Sequence, residues 1–281
     1  MPSIATGNSQ ERAREIMRRP VVALLSDFGS CDHYVGVMKG VILGICPEAT
    51  LVDISHDIPA HDIQAAALEL ASSYRFFPRE CVFLAVVDPG VGTVRRGLAA
   101  ESGIHRFVAP DNGVLTAVFK ETPPTKLVEL TERRYRRATV SRTFEGRDRF
   151  GPVAGWLANG VQLSELGPPV SEYKAIELPV MRVGDDGITG VVLRMDRFGN
   201  LVTNIDRGTL ETLRCDGTIE ITVSGVHVGR LVETYAEIAS NEVCALFGST
   251  DCLEIAARAS SAGARLGLGQ GAEVRVVRRL G

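Results

Sequence analysis

The sequence lacks the features that mark membrane proteins, zinc proteins and disulfide-stapled secreted domains. No apolar run approaches the roughly 18 residues that a membrane span needs. The N-terminal stretch has no long apolar core of the kind found in secretory signals. The six cysteines are scattered and none forms a C-x-x-C pair, which argues against a zinc site. We therefore expect a cytoplasmic protein with reduced, mostly buried thiols.

An excess of charge of either sign is also missing. The chain of 281 residues has 31 lysines and arginines against 34 aspartates and glutamates, a formal net charge of −3. This balance argues against nucleic acid or a membrane as a partner. The apolar content of 45% and charged content of 23% are typical of a packed globular protein.

Three common motifs of catalysis and nucleotide binding are absent. No G-x-G-x-x-G follows the first apolar run, and neither G-x-x-x-x-G-K-[ST] nor G-x-S-x-G occurs. These absences argue against the usual dinucleotide-binding fold, a P-loop and the nucleophile elbow of α/β-hydrolases.

The first part of the chain alternates apolar runs with segments of helical periodicity. Residues 21–25, 51–54 and 82–87 predict strands, and residues 32–45 and 62–74 predict helices. This order is the signature of an α/β fold, in which a mainly parallel sheet is flanked by helices.

The periodicity changes beyond a stretch rich in proline, glycine and charge. Ile219, Ile221 and Val223 alternate with polar residues, which predicts a smaller antiparallel β domain with a barrel-like form. The predicted organisation has four parts: a flexible tail at 1–19, an α/β domain at 20–172, a linker at 173–187 and a β domain at 188–281.

The stretch from Cys81 to Arg96 places a carboxylate at the end of a buried strand. The apolar run stops at Asp88, where Pro89 and Gly90 begin a turn. Open α/β sheets bind ligands at the carboxyl ends of their strands. Arg95 follows within reach of a turn that folds back. Asp88 and Arg95 are thus either a ligand-binding pair or a turn cap beside a solvated arginine.

Other carboxylates near predicted strand ends leave a metal site open. Asp27, Asp53, His56 and Asp88 together have the chemistry to bind a divalent metal, as in a phosphoesterase. The D-x-x-H-D spacing after the second strand is weakly specific, and Asp53 is equally suited to anchoring a loop.

A second polar patch runs from Asp196 to Asn200 after an apolar strand. It is either an ordinary hairpin turn, in which Asp and Asn bond their own backbone, or a ligand site. In the second interpretation the carboxylate and the amide bind a polar ligand such as an amino acid. Composition does not choose between the two.

Six sequence blocks carry a resemblance to a known family. In chain order they are Ser26-Asp27-Phe28-Gly29, Val52-Asp53-Ile54-Ser55-His56, Val87-Asp88-Pro89-Gly90-Val91-Gly92-Thr93, Ala109-Pro110-Asp111-Asn112-Gly113, Thr143-Phe144-x-Gly146-Arg147-Asp148 and Asp196-Arg197-Phe198-Gly199-Asn200. Together they resemble the S-adenosyl-L-methionine (SAM) hydroxide adenosyltransferases, or SAM hydrolases. That family is similar in fold to the fluorinating and chlorinating enzymes that use the same substrate.

The resemblance implies an enzyme that hydrolyses SAM to adenosine and L-methionine without a cofactor or a metal. Water or hydroxide attacks C5′ of the ribose, and Asp88 and Arg95 hold it. The 20–172 domain is implied to bind the nucleoside, with Asp27 on the ribose hydroxyls.

The resemblance also implies a substrate contact from the second domain. Asp196 and Asn200 are expected to hold the methionine end of the substrate, with further contacts from Ser249 and Glu254. The resemblance further implies a homotrimer. Each site is then expected to lie between the first domain of one subunit and the second domain of a neighbour.

Glu145 departs from the family pattern, which usually has a histidine in the water-holding group at this position. We treat Glu145 as the third catalytic residue. A carboxylate accepts a proton or pairs with Arg95, but two carboxylates beside a nucleophile repel anions. Weakened hydrolysis, a shifted pH optimum and lost hydrolysis are therefore all open.

Two alternative functions remain beside the hydrolase. One is a protein that binds SAM or adenosine with weak or no turnover. The other is a SAM-dependent halogenase, which is disfavoured because Asp88 would repel the halide.

Overall fold

The computed structural model describes residues 19–214 and 218–279. The predicted flexible tail therefore lies almost entirely outside the described residues. The chain divides into two compact units, the first ending at Ile176 and the second beginning at Glu177. This boundary falls inside the segment 173–187 that the sequence analysis assigned to a linker.

The first unit is an α/β unit built on a six-stranded sheet in the described part of the chain. Its strands are β1 (Val21–Ser26), β2 (Thr50–Ser55), β3 (Val82–Val86), β4 (Gly97–Ser102), β5 (His105–Pro110) and β6 (Pro124–Glu129). Its helices are α1 (Tyr34–Ile45), α2 (Ile63–Ser73), α3 (Thr116–Glu121) and α4 (Gly151–Ala158), and a π-helical turn (Gly146–Phe150) leads into α4. Short 3₁₀ turns occur at Tyr74–Phe76, Arg133–Tyr135 and Leu163–Glu165.

The order of the strands confirms the predicted sheet. The sheet runs β2-β1-β3-β5-β4-β6. The pairs among β2, β1, β3 and β5 are parallel, and β4 is antiparallel to both β5 and β6. The edge strand β6 had no sequence signal, because only Leu127 and Val128 of its six residues are buried.

Strand β3 is buried from both faces of the sheet, which explains why its sequence has no polar residue. On one face Leu84 packs in a core with Met38 of α1 and Val153 of α4. On the other face Phe83 stacks on Phe107 of β5, with ring centroids 5.1 Å apart. Tyr74, directly after α2, and Phe119 of α3 pack on these two rings, so helical segments cover this face as well and β3 ends in the middle of the core.

The second unit is an antiparallel β unit, as predicted. Its strands are β7 (Arg182–Val183), β8 (Gly187–Met195), β9 (Leu201–Asp206), β10 (Thr218–Val223), β11 (Val226–Val228), β12 (Val243–Phe247), β13 (Cys252–Ala257) and β14 (Glu273–Arg279). The sheet order is β11-β10-β14-β8-β9-β13-β12, and β7 pairs with β8. A bridge from Leu231, beyond β11, to Ala245 of β12 links the two ends, so the sheet is a nearly closed barrel. Two short helices, α5 (Arg207–Arg214) and α6 (Ala262–Leu266), and a 3₁₀ turn (Tyr235–Glu237) complete it.

Most thiols in the described residues lie in the core, whereas that of Cys31 is exposed. Five cysteines are free, of which Cys46, Cys81 and Cys244 are buried. Burial raises the pKa of Cys81 to about 12 and that of Cys244 to about 11. Cys215 lies outside the described residues. Within the same residues, no helix has the length and apolarity that a membrane crossing requires.

A matched pair of phenylalanine substitutions tests the role of β3. Phe83 is 0% exposed, whereas Phe76 is 77% exposed. Phe83→Ala should lower the free energy of unfolding by about 3–5 kcal/mol, because it removes a buried ring and leaves a cavity. Phe76→Ala should change it by less than about 0.5 kcal/mol. Denaturant unfolding followed by Trp156 fluorescence reports on the first unit, since Trp156 in α4 is the one tryptophan of the chain. Equal changes in the free energy of unfolding for the two variants would contradict the placement of Phe83 in the core.

Candidate active site

Aspartates follow neighbouring parallel strands at one edge of the first unit's sheet. Ser26 of β1 pairs with Val86 of β3 in the parallel register. Asp27 and Asp88 therefore leave the sheet side by side, at the carboxyl edge where such sheets bind their ligands. The side chain of Asp27 is buried and accepts a hydrogen bond from the amide of His61 at 2.9 Å.

The turn after β3 brings Arg95 back onto Asp88. The amide of Val91 donates to the carbonyl of Asp88 at 3.2 Å, which starts the reversal. Gly92 has a φ of +79°, and a Cβ there would lie 2.4 Å from the carbonyl oxygen of Arg142. Only glycine fits both conditions, so Gly92 is required for this path of the chain.

Arg95 donates two hydrogen bonds to the carboxylate of Asp88. Its Nε donates to Oδ1 of Asp88 at 2.7 Å, and its Nη2 donates to Oδ2. The two side chains are only 9% and 5% exposed. The guanidinium also lies over the ring of Phe150, 5.2 Å from its centroid. Asp88 and Arg95 therefore form a buried pair, and the arginine is not solvated.

Glu145, fifty residues beyond Arg95 in the chain, contacts the same guanidinium group. Nη2 of Arg95 donates to Oε2 of Glu145 at 3.1 Å, so one guanidinium bridges two buried carboxylates. The structure thus brings together all three residues that the sequence analysis assigned to catalysis. We name this group, Asp88, Arg95 and Glu145, the carboxylate–arginine cluster.

The environment of Asp88 changes its acidity. Burial raises the pKa of Asp88 above its ordinary value, Arg95 and the amide of Gly90 oppose this, and the charge of Glu145 adds to it. The net direction is upward. The Asp88 carboxylate is therefore a stronger proton acceptor than a surface aspartate, while its hydrogen bonds to Arg95 fix its position.

Asp148 anchors the segment that carries Glu145. Its fully buried carboxylate accepts two hydrogen bonds from Arg147, each at 2.7 Å, and one from the amide of Ser141 at 2.8 Å. Arg137 lies 3.2 Å from the same carboxylate. Ionic and backbone contacts thus tie the π-helical turn to the chain segment that precedes it.

A line of polar side chains supports the turn at Asp27. Oγ of Ser26 lies 2.7 Å from Nδ1 of His56, and Nε2 of His56 lies 3.0 Å from Oδ1 of Asp53. Lys39 donates to the other oxygen of Asp53 at 2.6 Å. The amide of Gly29 donates to the carbonyl of His56 at 2.7 Å, which ties the turn after β1 to the loop after β2.

This arrangement explains Asp53 and His56 without a metal ion. Each makes a close contact with a neighbouring side chain, so the loop-anchor interpretation of Asp53 is the one that fits. Over the two described ranges, 19–214 and 218–279, no group of three or more His, Cys, Asp or Glu side chains is placed to hold a metal ion. The phosphoesterase alternative therefore has no ligand set there.

Asp196 of the second unit closes a hairpin turn. Its Oδ1 accepts from the amides of Phe198 and Asn200 at 2.9 and 2.8 Å, and its Oδ2 accepts from Nδ2 of Asn200 at 3.0 Å. Gly199 has a φ of +85°, and a Cβ there would lie 2.1 Å from Oγ of Ser261. The turn interpretation is correct, and it also fixes the Asn200 side chain.

Asn200 lines a cavity of about 480 Å³ in the second unit. The other lining residues are Phe198, Tyr235 and residues 257–261. The side chain of Tyr235 thus lies at the same cavity as that of Asn200. Sequence reasoning identified Asn200 but missed Tyr235, whose Thr234-x-x-Glu237 surroundings indicate only a capping box.

The other two residues predicted for this unit lie outside the lining of that cavity. Ser249 is exposed in the turn between β12 and β13. Glu254 is buried in β13, where burial and the charge of Asp196 raise the pKa of its carboxyl, against the opposing charge of Arg194.

Comparison with protein families gives two adjoining matches. The model described as SAM hydroxide adenosyltransferase N-terminal domain matches residues 22–167, and the model of the corresponding C-terminal domain matches residues 190–275. An (R)-S-adenosyl-L-methionine hydrolase of Thermus thermophilus is 38% identical over 266 residues, covering 92% of this chain and 100% of the relative. A protein of the same name from Salinispora tropica is 35% identical, covering 92% and 97%.

More distant relatives and solved structures agree with this. A fluorinase of an Actinoplanes species is 30% identical over 219 residues, covering 68% of this chain and 74% of the relative. The crystal structure of an uncharacterized conserved protein from Thermotoga maritima superposes with a TM-score of 0.88 at 32% identity. It covers 92% of this chain and 100% of its own.

The role of Asp148 gives a pH-dependent prediction. Burial alone would raise the pKa of Asp148, but the hydrogen bonds from Arg147 and Ser141 and the charge of Arg137 outweigh it and lower the pKa. A lowered folded pKa means stabilisation above the ordinary value near 4, which is lost as the pH falls through the lowered value. Asp148→Asn should therefore cost on the order of 3 kcal/mol at pH 7.

That cost should shrink as the pH falls from about 4 through the lowered pKa of Asp148, because the wild-type carboxylate then becomes protonated itself. Denaturant unfolding at a series of pH values measures it. The matched control is Asp57→Asn, since Asp57 is exposed, and it should have little effect at any pH. A cost for Asp148→Asn that is independent of pH would show that shape rather than charge holds the segment.

Proposed function

This chain belongs to the SAM hydroxide adenosyltransferase family, and on that premise we propose that it hydrolyses SAM to adenosine and L-methionine. The observation that carries the proposal is the buried carboxylate–arginine cluster at the end of β3, in which Arg95 donates to Asp88 and to Glu145. Relatives named (R)-S-adenosyl-L-methionine hydrolase, at 35–38% identity over most of the chain, support the same reaction.

The reaction suits a site of this kind because the leaving group needs no help. A new bond forms between water oxygen and C5′ of the ribose, while the C5′–S bond breaks and its electron pair goes to sulfur. The sulfonium becomes the neutral thioether of methionine, so no general acid is needed. We propose that no cofactor or metal takes part, since the task is to position a small nucleophile and remove its other waters.

The three residues of the carboxylate–arginine cluster have different roles in positioning the water. Asp88 accepts a hydrogen bond from the attacking water and takes its proton, which its raised pKa favours. Arg95 favours the partial negative charge that develops on the water oxygen. Glu145 accepts from Nη2 of Arg95 at 3.1 Å, the same nitrogen that donates to Asp88, and so fixes the direction of the remaining donors.

The substrate contacts follow from the other polar groups. Asp27 offers a carboxylate to the ribose hydroxyls from the strand beside β3. We propose that the second unit binds the methionine end through Asn200, with Tyr235 beside it and negative charge from Asp196 and Glu254 for the ammonium group. Ser249 contributes a hydroxyl from the neighbouring turn.

The assembly and location are proposals of the same kind. We propose a cytoplasmic homotrimer in which the first unit of one subunit and the second unit of a neighbour together complete each site. Family resemblance supports this. Size-exclusion chromatography with light scattering measures the subunit number directly.

Halide transfer is the nearest rival, because fluorinases are among the relatives. The Asp88 carboxylate decides against it. An anionic nucleophile would approach a second buried anion at the same strand end, whereas neutral water accepts or donates a hydrogen bond there at no such cost.

The proposal predicts a product and a pattern of variants. Purified protein with SAM should release adenosine and methionine in equal amounts, measured by liquid chromatography, with or without added chloride or fluoride. Asp88→Asn should lower kcat by about 10²–10⁴-fold, the usual contribution of a positioned proton acceptor, while calorimetry still detects SAM binding. The control Asp185→Asn changes an exposed aspartate and should leave the rate unchanged.

Three outcomes would replace the hydrolase. Tight SAM binding without product over hours would make the chain a binding protein. A halogenated nucleoside that forms only with added halide would make it a halogenase. Loss of activity in the presence of a chelator would favour a metal-dependent enzyme instead.

A further inference from the structure

Glu145 has a second cationic partner that neither the sequence analysis nor the proposed reaction uses. Its Oε2 accepts one hydrogen bond from Arg95 at 3.1 Å and another from Nη1 of Arg149 at 3.2 Å. Arg149 is four residues further along, in the π-helical turn, so the two side chains lie on the same face. One carboxylate oxygen is therefore held between two guanidinium groups.

Arg149 occupies an unfavourable place for an arginine. Its side chain is only 14% exposed, and Nη2 donates to the carbonyl oxygen of Leu130 at 2.8 Å. Its Nε is buried without a hydrogen-bond partner among the described residues. Burying a charge with an unpaired donor is costly, and the cost is offset only by a nearby opposite charge. In the described residues that opposite charge is Glu145.

A count of charges shows what Arg149 supplies. With Asp88 and Glu145 ionised and Arg95 and Arg149 protonated, the four buried groups sum to zero. Without Arg149 the group would carry one net negative charge at the point where Asp88 must hold water. A neutral side chain at position 145 would need no such partner. The carboxylate at 145 and the arginine at 149 thus belong together electrostatically.

We propose that Arg149 is a positioning residue for the hydrolytic site, which neutralises Glu145 and leaves Arg95 free to hold Asp88 with two donors. The inference rests on the proposed function, because its consequence is a property of the water-holding group. Arg149 does not touch the reacting atoms and acts through Glu145 and Arg95.

The charges around this group set its pH dependence. Burial lowers the pKa of Arg149, Glu145 opposes this, and the positive charges of Arg95 and Arg136 add to it. Asp88 is affected by Arg95 and by Glu145. Once the Arg149 charge is gone, the charge of Glu145 is no longer offset, so the Asp88 carboxyl should bind its proton at higher pH.

The test is a pH–rate profile of Arg149 variants. Arg149→Met keeps the length of the side chain but removes its charge. We expect the acid limb of kcat to move to higher pH by roughly one unit or more, with KM for SAM nearly unchanged. Arg149→Lys restores the charge and should return most of the limb to its wild-type position.

A second background separates the action through Glu145 from the direct effect of the Arg149 charge. In Glu145→Gln no carboxylate at position 145 competes for Arg95, so adding Arg149→Met should move the acid limb clearly less than it does beside Glu145. A limb that stays in place in Arg149→Met itself, or that moves equally in both backgrounds, would overturn the inference. Trp156 fluorescence confirms that each variant is folded before its rate is measured.

The proposed function and this inference fail in different ways. If wild-type protein makes no adenosine, the hydrolase proposal fails, and the charge argument is then tested by carbon NMR titration of the Asp88 carboxyl. That carboxyl should titrate at higher pH in Arg149→Met than in wild type, and an unchanged titration would overturn the inference. If wild-type protein makes adenosine and Arg149→Met matches its whole pH profile, only the inference fails.

Discussion

The two-donor hydrogen bonding of Arg95 to Asp88 is the interaction on which the rest of the site depends. It needs a buried strand end, which β3 supplies because helices cover both faces of the sheet. It also needs a tight reversal of the chain, which Gly92 permits where a Cβ would strike the carbonyl of Arg142. In this low-dielectric place each hydrogen bond orients as well as attracts, so a small molecule beside the pair has few alternative positions.

Placing a second carboxylate beside that pair creates an electrostatic problem. The fold answers it locally, within the π-helical turn, because Glu145 and Arg149 are four residues apart and face the same way. Asp148 between them points elsewhere and fastens the segment through Arg147, Arg137 and the amide of Ser141. One short segment therefore carries both the carboxylate that we propose for the reaction and the structural carboxylate that holds it in place. π-helical turns are often found at functional sites.

The second unit places polar groups on a barrel whose strands alternate apolar and polar residues. Asp196 uses its oxygens to close the turn, and this fixes Asn200 at the wall of a cavity. The turn and ligand interpretations of this patch are thus not exclusive. A residue that satisfies backbone donors also sets the direction of its neighbour. In the proposed reaction, water rather than halide is the suitable nucleophile because the first unit already holds the buried carboxylate of Asp88 at the end of β3.

The sequence by itself determined the fold class, the mainly parallel character of the first sheet and the strand-end position of Asp88, because these follow from local periodicity and from turn residues. It also indicated Arg95, Glu145 and Asn200, through ordered blocks that resemble a known family. Only the tertiary structure decided that Arg95 bridges two carboxylates, that Arg149 offsets the charge of Glu145 and that Tyr235 and Asn200 line one cavity. Strand β6 and the π-helical turn were likewise invisible beforehand. Their signals are contacts between segments that are far apart in the chain or exposed at an edge, where hydrophobic periodicity carries no information.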